Sequence, residues 1–285
     1  MKPCKSLNVF FDSEFRTDIT EQVRRVTDAG FRHLDMNFWD WCHDPRSPFM
    51  QDNWKEWVES AAREARLCDA VFTQAHAHVY NFYDFPRDSK HEIQVLRSIE
   101  GAGMLGIPWI VMHLSGKPGW NETPEAREEY FRDNIAYFRD KCRYAAQFGV
   151  GIAIENMSRI ERNITTAEDL CRMADGIGET NIGFCWDTGH AHLSGQDQPA
   201  SIKTLGSRLH ALHIADNQGV TDEHTAPFIG TIDWLPIAQA LQDIGYTGDF
   251  TFEAHNLVRK MPEPCKNAAL HLMYRIGEYL SGSLR

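Results

Sequence analysis

Short apolar runs and stretches of helical spacing alternate along the whole chain. LNVFF (7–11) has the apolar, unperiodic look of a buried strand, and TDITEQVRRVTDAGF then places Ile19, Val23, Val26 and Ala29 on one helical face before Gly30 closes it. HLDMNF (33–38) follows at once as a strand. The same reading predicts strands at 70–77, 109–114, 151–157, 182–187, 209–217 and 249–256. Between them it predicts helices at about 53–68, a stretch ending near 105–106, 125–148, 166–176, 199–207, 234–245 and 264–280. Eight strands alternating with eight helices over 285 residues are the count and length of a single-domain (β/α)₈ TIM barrel spanning 1–285.

Loop lengths point the same way. Links from helix to strand are tight (AG, FG, IG), whereas links from strand to helix are long and carry Trp39, Trp41, Phe82, Phe85, Trp120 and Phe228. In such a barrel the C-terminal strand ends and the loops after them form the active face, so chemistry is expected at the last one or two residues of each strand. The segment IGFCWDTGHAH (182–192) shows this most clearly: an apolar run empties into Asp187, Thr188, Gly189 and His190. Asp187 and His190 either turn toward one point, or Asp187 caps the next turn and His190 is a satisfied polar residue.

Composition narrows the setting. At 42% hydrophobic and 24% charged, the chain can bury one large core. The opening MKPCKSLNVFF offers no stretch fit for a signal peptide or a membrane span, so a cytoplasmic protein is expected. Seven scattered cysteines, never spaced CxxC, read as reduced thiols. A net charge of −11 provides no broad basic field for nucleic acid or anionic lipid.

Reading the strand ends in order collects His76, His113, Glu155, Asp187, His190, His213 and Glu253. Glu155, Asp187, His213 and Glu253 come from four successive strands at one level, and three carboxylates with one imidazole make a hard shell for a single divalent ion. Mn²⁺ suits it best, and Mg²⁺, Co²⁺ or Zn²⁺ is also accommodated. Without an ion, three carboxylates would be pressed together uncompensated, which repulsion and desolvation make costly. An ion chelating a carbonyl and a neighbouring hydroxyl would acidify the intervening C–H by stabilising an enediolate, and Glu155 and Glu253, approaching from opposite sides, would act as the proton-transfer pair. Reprotonation on the opposite face is epimerisation; on the neighbouring carbon it is aldose–ketose isomerisation.

IENM, CWDTGHAHLSG, LHALHIADN, DEHTAPFIGTIDW and FEAH, in this order, resemble the sugar phosphate isomerases/epimerases of the xylose isomerase-like TIM-barrel superfamily, over essentially the whole chain. The resemblance implies one divalent metal held by Glu155, Asp187, His213 and Glu253, the two glutamates as acid/base pair, and a small-molecule carbohydrate (keto-sugar, sugar phosphate or cyclitol) bound with help from His76, His113, His190, Asp222 and His224, the last two either binding substrate or pinning the strand-7 loop. Neither nucleic acid nor membrane is expected as a partner; a homodimer or homotetramer is left open, and the terminal helix with Leu270, Tyr274, Ile276 and Leu280 either completes the barrel wall or adds to such a contact. Ketose 3-epimerases carry an Arg soon after the strand-7 His, where this chain reads IADNQGV, so a tagatose- or psicose-type enzyme is less expected than a more general member. Arg159, Arg162 and Lys117 lie in active-face loops as candidates for an anionic group or as plain surface charges.

Two competing enzyme readings stand beside this one. Endonuclease IV-type DNA repair enzymes share the barrel and hold three zinc ions, with extra ligands matching His76, His113, His190, Asp222 and His224; against that reading, NMSRI follows Glu155 and no basic loop set is evident. A metal-dependent lyase or dehydratase would use the same enediolate and expel a group from the next carbon.

Overall fold

In a computed structural model that describes residues 1–7, 18–159 and 163–282, the strands are β1 (Pro3–Leu7), β2 (His33–Asn37), β3 (Val71–His76), β4 (Trp109–Met112), β5 (Gly151–Glu155), β6 (Ile182–Asp187), β7 (Leu209–His213) and β8 (Phe250–Phe252). All pair in parallel, in the order β7-β6-β5-β4-β3-β2-β1-β8. Ile214 closes the ring onto β8: its N–H donates to Thr251 O (2.8 Å), and its carbonyl accepts from Glu253 N–H (3.1 Å). The result is the TIM barrel that the alternation predicts.

The helices are α1 (Ile19–Asp28), α2 (Trp54–Leu67), α3 (Lys90–Met104), α4 (Pro124–Ala146), α5 (Ala167–Ile177), α6 (Thr188–Leu193), α7 (Gln198–Leu205), α8 (Trp234–Asp243), α9 (His255–Arg259) and α10 (Glu263–Gly282). Asp18, Thr123, Thr166 and Asp197 cap four of them through side-chain oxygens. Helical spacing does what it predicts in α1, where Ile19, Val23 and Val26 are fully buried, worth about 1.5–3 kcal/mol each. The terminal helix completes the wall: Leu270 and Leu280 are fully buried, and Tyr274 meets Phe31 edge-on at 5.3 Å. Gly30 makes room for it. With φ at +112°, a Cβ there would lie 2.9 Å from the Tyr274 ring.

Two expectations change. The first strand runs over Pro3–Leu7 rather than 7–11, and residues 8–11 lie outside the described set. Among the described residues there are ten α-helices rather than eight, because α6 and α9 are single turns, too short for periodicity to reveal.

The barrel interior is layered with period two. Val111, Ala153, Cys185 and Ala211 form a small apolar floor. Gln74 and Thr251 continue it on the other side, joined by a 3.2 Å hydrogen bond. Two residues further along the same strands, the inward positions are His113, Glu155, Asp187, His213, His76 and Glu253. One turn of the pleat therefore converts an inert floor into a ring of ligand-type side chains.

Candidate metal centre and active face

One ligand atom from each of Glu155, Asp187, His213 and Glu253 lies within 4.8 Å of those from the other three, and all four residues are buried. Register delivers the central pair, because Asp187 and His213 are lateral partners on β6 and β7. His213 Nδ1 stands 3.1 Å from Glu155 Oε1 and 3.5 Å from Glu253 Oε2, so the two glutamates reach the same imidazole nitrogen from β5 and β8.

Glu155 is the hub. Its Oε1 also faces His190 Nδ1 at 3.4 Å, while Oε2 faces His113 Nε2 at 3.1 Å and His76 Nε2 at 3.7 Å. Burial alone would raise its carboxyl, yet His213 and His113 outweigh that and hold it well below the usual carboxylate range. Asp187 has no such ring: burial pushes it up to about 7 against the attraction of His190. Asp187 does two jobs in the geometry, since Oδ1 accepts the His190 N–H at 2.6 Å and so caps α6, while buried Oδ2 has no hydrogen-bond partner. The capping and converging readings of Asp187 are both realised.

Asn156 holds the two carboxylate-bearing strands together. It donates from Nδ2 to Asp187 O (2.9 Å) and accepts Asp187 N–H on Oδ1 (2.7 Å). Its own carbonyl accepts from His190 Nδ1 at 3.0 Å.

The remaining candidates flank the quartet. His76 Nδ1 bonds Ala77 O (2.7 Å), which turns Nε2 toward His113 Nε2 at 3.1 Å. On the other side, Asp222 Oδ2 lies 2.8 Å from His224 Nε2 and 3.4 Å from His190 Nε2. His224 takes a left-handed backbone, φ +42°, with Nδ1 on Glu253 O (3.0 Å) and its ring stacked on His255 at 4.5 Å. His76, Glu155 and His213 form a second group of ligand-type atoms, and His190, Asp222 and His224 a third. The structure thus brings all the expected site residues to one face.

The donor set fits a divalent ion. Three buried carboxylates and an imidazole, with buried Asp187 Oδ2 lacking a hydrogen-bond partner, are the oxygen-rich donors that a hard cation takes.

The loop aromatics divide. Trp39 lies 6.3 Å from His76, beside the site. Trp41 packs on Trp57, Phe82 on Tyr83 and Tyr137, and Trp120 on Tyr130. Phe85 covers His91, and Phe228 turns outward to Tyr279. Trp41 and Trp120 are thus buried packing residues, whereas Phe85 and Phe228 stay exposed. Lys117 is paired with Glu129 (3.0 Å), Arg159 is exposed, and Arg162 lies outside the described residues.

The family model described as "Xylose isomerase-like TIM barrel" matches residues 23–272. The chain belongs to that family. Among its relatives, D-psicose 3-epimerase of Ruminiclostridium cellulolyticum is 31% identical over 136 residues, 47% of this chain and 44% of that protein. Inosose isomerase of Bacillus velezensis is 25% identical over 154 residues, 52% of this chain and 54% of the relative. This family member therefore spans about half the length of each of these two relatives. The solved D-psicose 3-epimerase with D-tagatose from Clostridium cellulolyticum H10 superposes with a TM-score of 0.76 at 18% identity, covering 98% of this chain and 99% of that one, a likeness of fold. No helix among the described residues is long and apolar enough to cross a membrane.

Proposed function

We propose that this protein is a divalent-metal-dependent isomerase or epimerase of a keto-sugar, sugar phosphate or cyclitol. The observation that carries the reading is the approach of Glu155, at the end of β5, and Glu253, just after β8, to one nitrogen of His213 within a buried ligand set. Glu155, Asp187, His213 and Glu253 would hold the ion, Mn²⁺ by preference with Mg²⁺, Co²⁺ or Zn²⁺ as alternatives. When bound, the ion supplies Lewis acidity that makes a C–H beside a chelated carbonyl easier to ionise.

The chain's own residues do the rest. Glu155 and Glu253 are the proton-transfer pair, one carboxylate receiving the proton on one face of the substrate and the other returning one from the opposite face. In the metal-free protein burial would raise Glu253 as well, but His213 and His224 keep its carboxyl below its ordinary value. His76, His113, His190, Asp222 and His224 offer hydrogen-bonding groups around the quartet for substrate hydroxyls. The relatives named D-psicose 3-epimerase and inosose isomerase support a polyhydroxylated carbonyl substrate. The missing Arg after His213 favours a substrate other than that of the tagatose- or psicose-type enzymes. Seven free thiols accord with a reducing, cytoplasmic setting.

The alternative, an endonuclease IV-like trinuclear zinc phosphodiesterase, would draw on the flanking groups of ligand-type atoms around His76 and His224. Support for sugar chemistry comes from the sugar-acting relatives. Metal counting tests the difference: one tightly held ion per chain is expected, and three would overturn the reading. Activity is tested by incubating the metal-loaded protein with keto-sugars and cyclitols in D₂O. Deuterium should enter beside the carbonyl, and no uptake with any substrate under any of the four metals would sink the proposal.

A further inference from the structure

The segment after β7, residues 214–233, is a long excursion between strand and helix and carries Asp222 and His224 to the site. Its two limbs meet at Asp216, which is fully buried. The Asp216 carboxylate accepts four N–H bonds from four places in the chain. Oδ1 takes Asn217 N–H (2.8 Å) and Ile232 N–H (3.2 Å); Oδ2 takes Phe228 N–H (3.1 Å) and the Trp234 indole N–H (3.0 Å). Its backbone bridges Thr225 in both directions, at 2.8 and 3.2 Å. A buried carboxylate met by aligned N–H donors is held by charge-assisted bonds, each stronger than a neutral one.

Two neighbours show that the loop is shaped around this carboxylate. Phe228 adopts φ +71°, costly for a bulky residue, while presenting its N–H to Oδ2. At Gly230, a Cβ would come 2.1 Å from Asp216 Oδ1 and 2.4 Å from Asn217 O, so only glycine lets the far limb approach. From this clamp the loop is tied to α6 and α9, the short helices that follow β6 and β8. Asn217 Nδ2 donates to Gly189 O on α6 (3.0 Å), and Asn256 donates from N and Nδ2 to His224 O (3.1 Å) and Glu223 O (2.9 Å).

We infer that Asp216 is a positioning residue: its carboxylate latches the 217–233 loop so that Asp222 and His224 stand beside the quartet to receive substrate. The metal ligands themselves are built by β5 to β8 and do not depend on the latch. The role in substrate binding rests on the sugar isomerase/epimerase reading; the latch rests on the hydrogen bonds alone. Asparagine cannot replace the carboxylate, because it would turn an NH₂ group toward donors that need an acceptor.

The test uses the whole manganese-loaded protein and two independent variants, Asp216→Asn and Gly230→Ala. Hydrogen–deuterium exchange read by mass spectrometry should show peptides within 218–229 exchanging at least tenfold faster in both variants, with peptides of β5 and β6 unchanged. With a substrate found by deuterium uptake, KM should rise at least tenfold while kcat and Mn²⁺ affinity stay within threefold of wild type. Unchanged loop protection in the folded variants overturns the latch. So does a parallel fall in kcat, 1/KM and Mn²⁺ affinity, the mark of general disruption. Should the wild-type protein process no sugar, the functional reading fails by itself, and loop protection together with Mn²⁺ affinity still decides whether Asp216 holds the loop. Should Asp216→Asn fail to fold, Gly230→Ala carries the same decision.

Discussion

Replacing Asn156 with alanine should weaken the protein and its hold on metal together. The side chain makes two bonds to the Asp187 backbone, at 2.9 and 2.7 Å, and both residues are fully buried. Alanine removes both bonds and leaves the buried Asp187 N–H without its side-chain acceptor, so the expected loss is about 1–3 kcal/mol. Because Asp187 then loses its tether to β5, metal affinity should fall by about 10–100-fold, as when other groups that orient ligands are removed. Asn156→Asp is the sharper variant: it keeps an acceptor for Asp187 N–H but sets a carboxylate against Asp187 O, and should cost at least as much. Urea unfolding with and without Mn²⁺, alongside Mn²⁺ titration, measures both effects. An Asn156→Ala protein within 1 kcal/mol of wild type and within twofold in Mn²⁺ affinity would refute the reasoning.

Other outcomes follow from the same geometry. Glu155→Gln and Glu253→Gln should each lower turnover by about 10²–10⁴-fold if the residue moves a proton; full metal content with unimpaired turnover in either variant removes that residue from the proton-transfer pair. Asp35 lies fully buried beneath the site, its Oδ1 without a hydrogen-bond partner, and burial raises it from 3.8 to about 6 against His213 and His76. With the folded value above the unfolded one, stability present below pH 4 is lost as pH rises through about 6. The shift of 6 minus 3.8 corresponds to up to about 3 kcal/mol. Asp35→Asn should remove that slope from the metal-free protein, and parallel urea-stability profiles of wild type and variant between pH 4 and 7 would count against it.

Much of the barrel is legible because its strands are buried on both faces and its helices on one, two patterns that differ in period. The first strand is the exception. PCKSL has little apolar character, and its place is set by neighbours, Pro3 beside Phe250 and Leu7 beside Met36, rather than by its own composition. Ligand-type residues are legible for a geometric reason: in a closed barrel with period-two strands, a polar residue at a strand end and in phase with the floor must point inward. Asn156, Asp216 and Gly230 give no such signal. Their task is to bond backbone groups or to leave space for such a bond, and no side-chain pattern announces which amide a carboxylate will meet. Aromatic loop residues give no comparable signal, since a position after a strand says nothing about the direction of the ring: Trp41 packs on Trp57 and Trp120 on Tyr130.

Glu155 and Glu253 are formally alike, yet their surroundings make them unequal. Glu253, just after β8, faces two imidazoles, His213 at 3.5 Å and His224 at 3.8 Å. Glu155 faces four and divides them between its oxygens, His213 and His190 at Oε1, His113 and His76 at Oε2. An amide at 155 keeps one acceptor and turns a donor toward one of those pairs, so both the quartet and the flanking histidines must rearrange. At 253 the same change disturbs one side only. Proton transfer is therefore separable from metal retention more cleanly at Glu253 than at Glu155, and Glu253→Gln is the variant in which retained metal and lost turnover most directly identify a base.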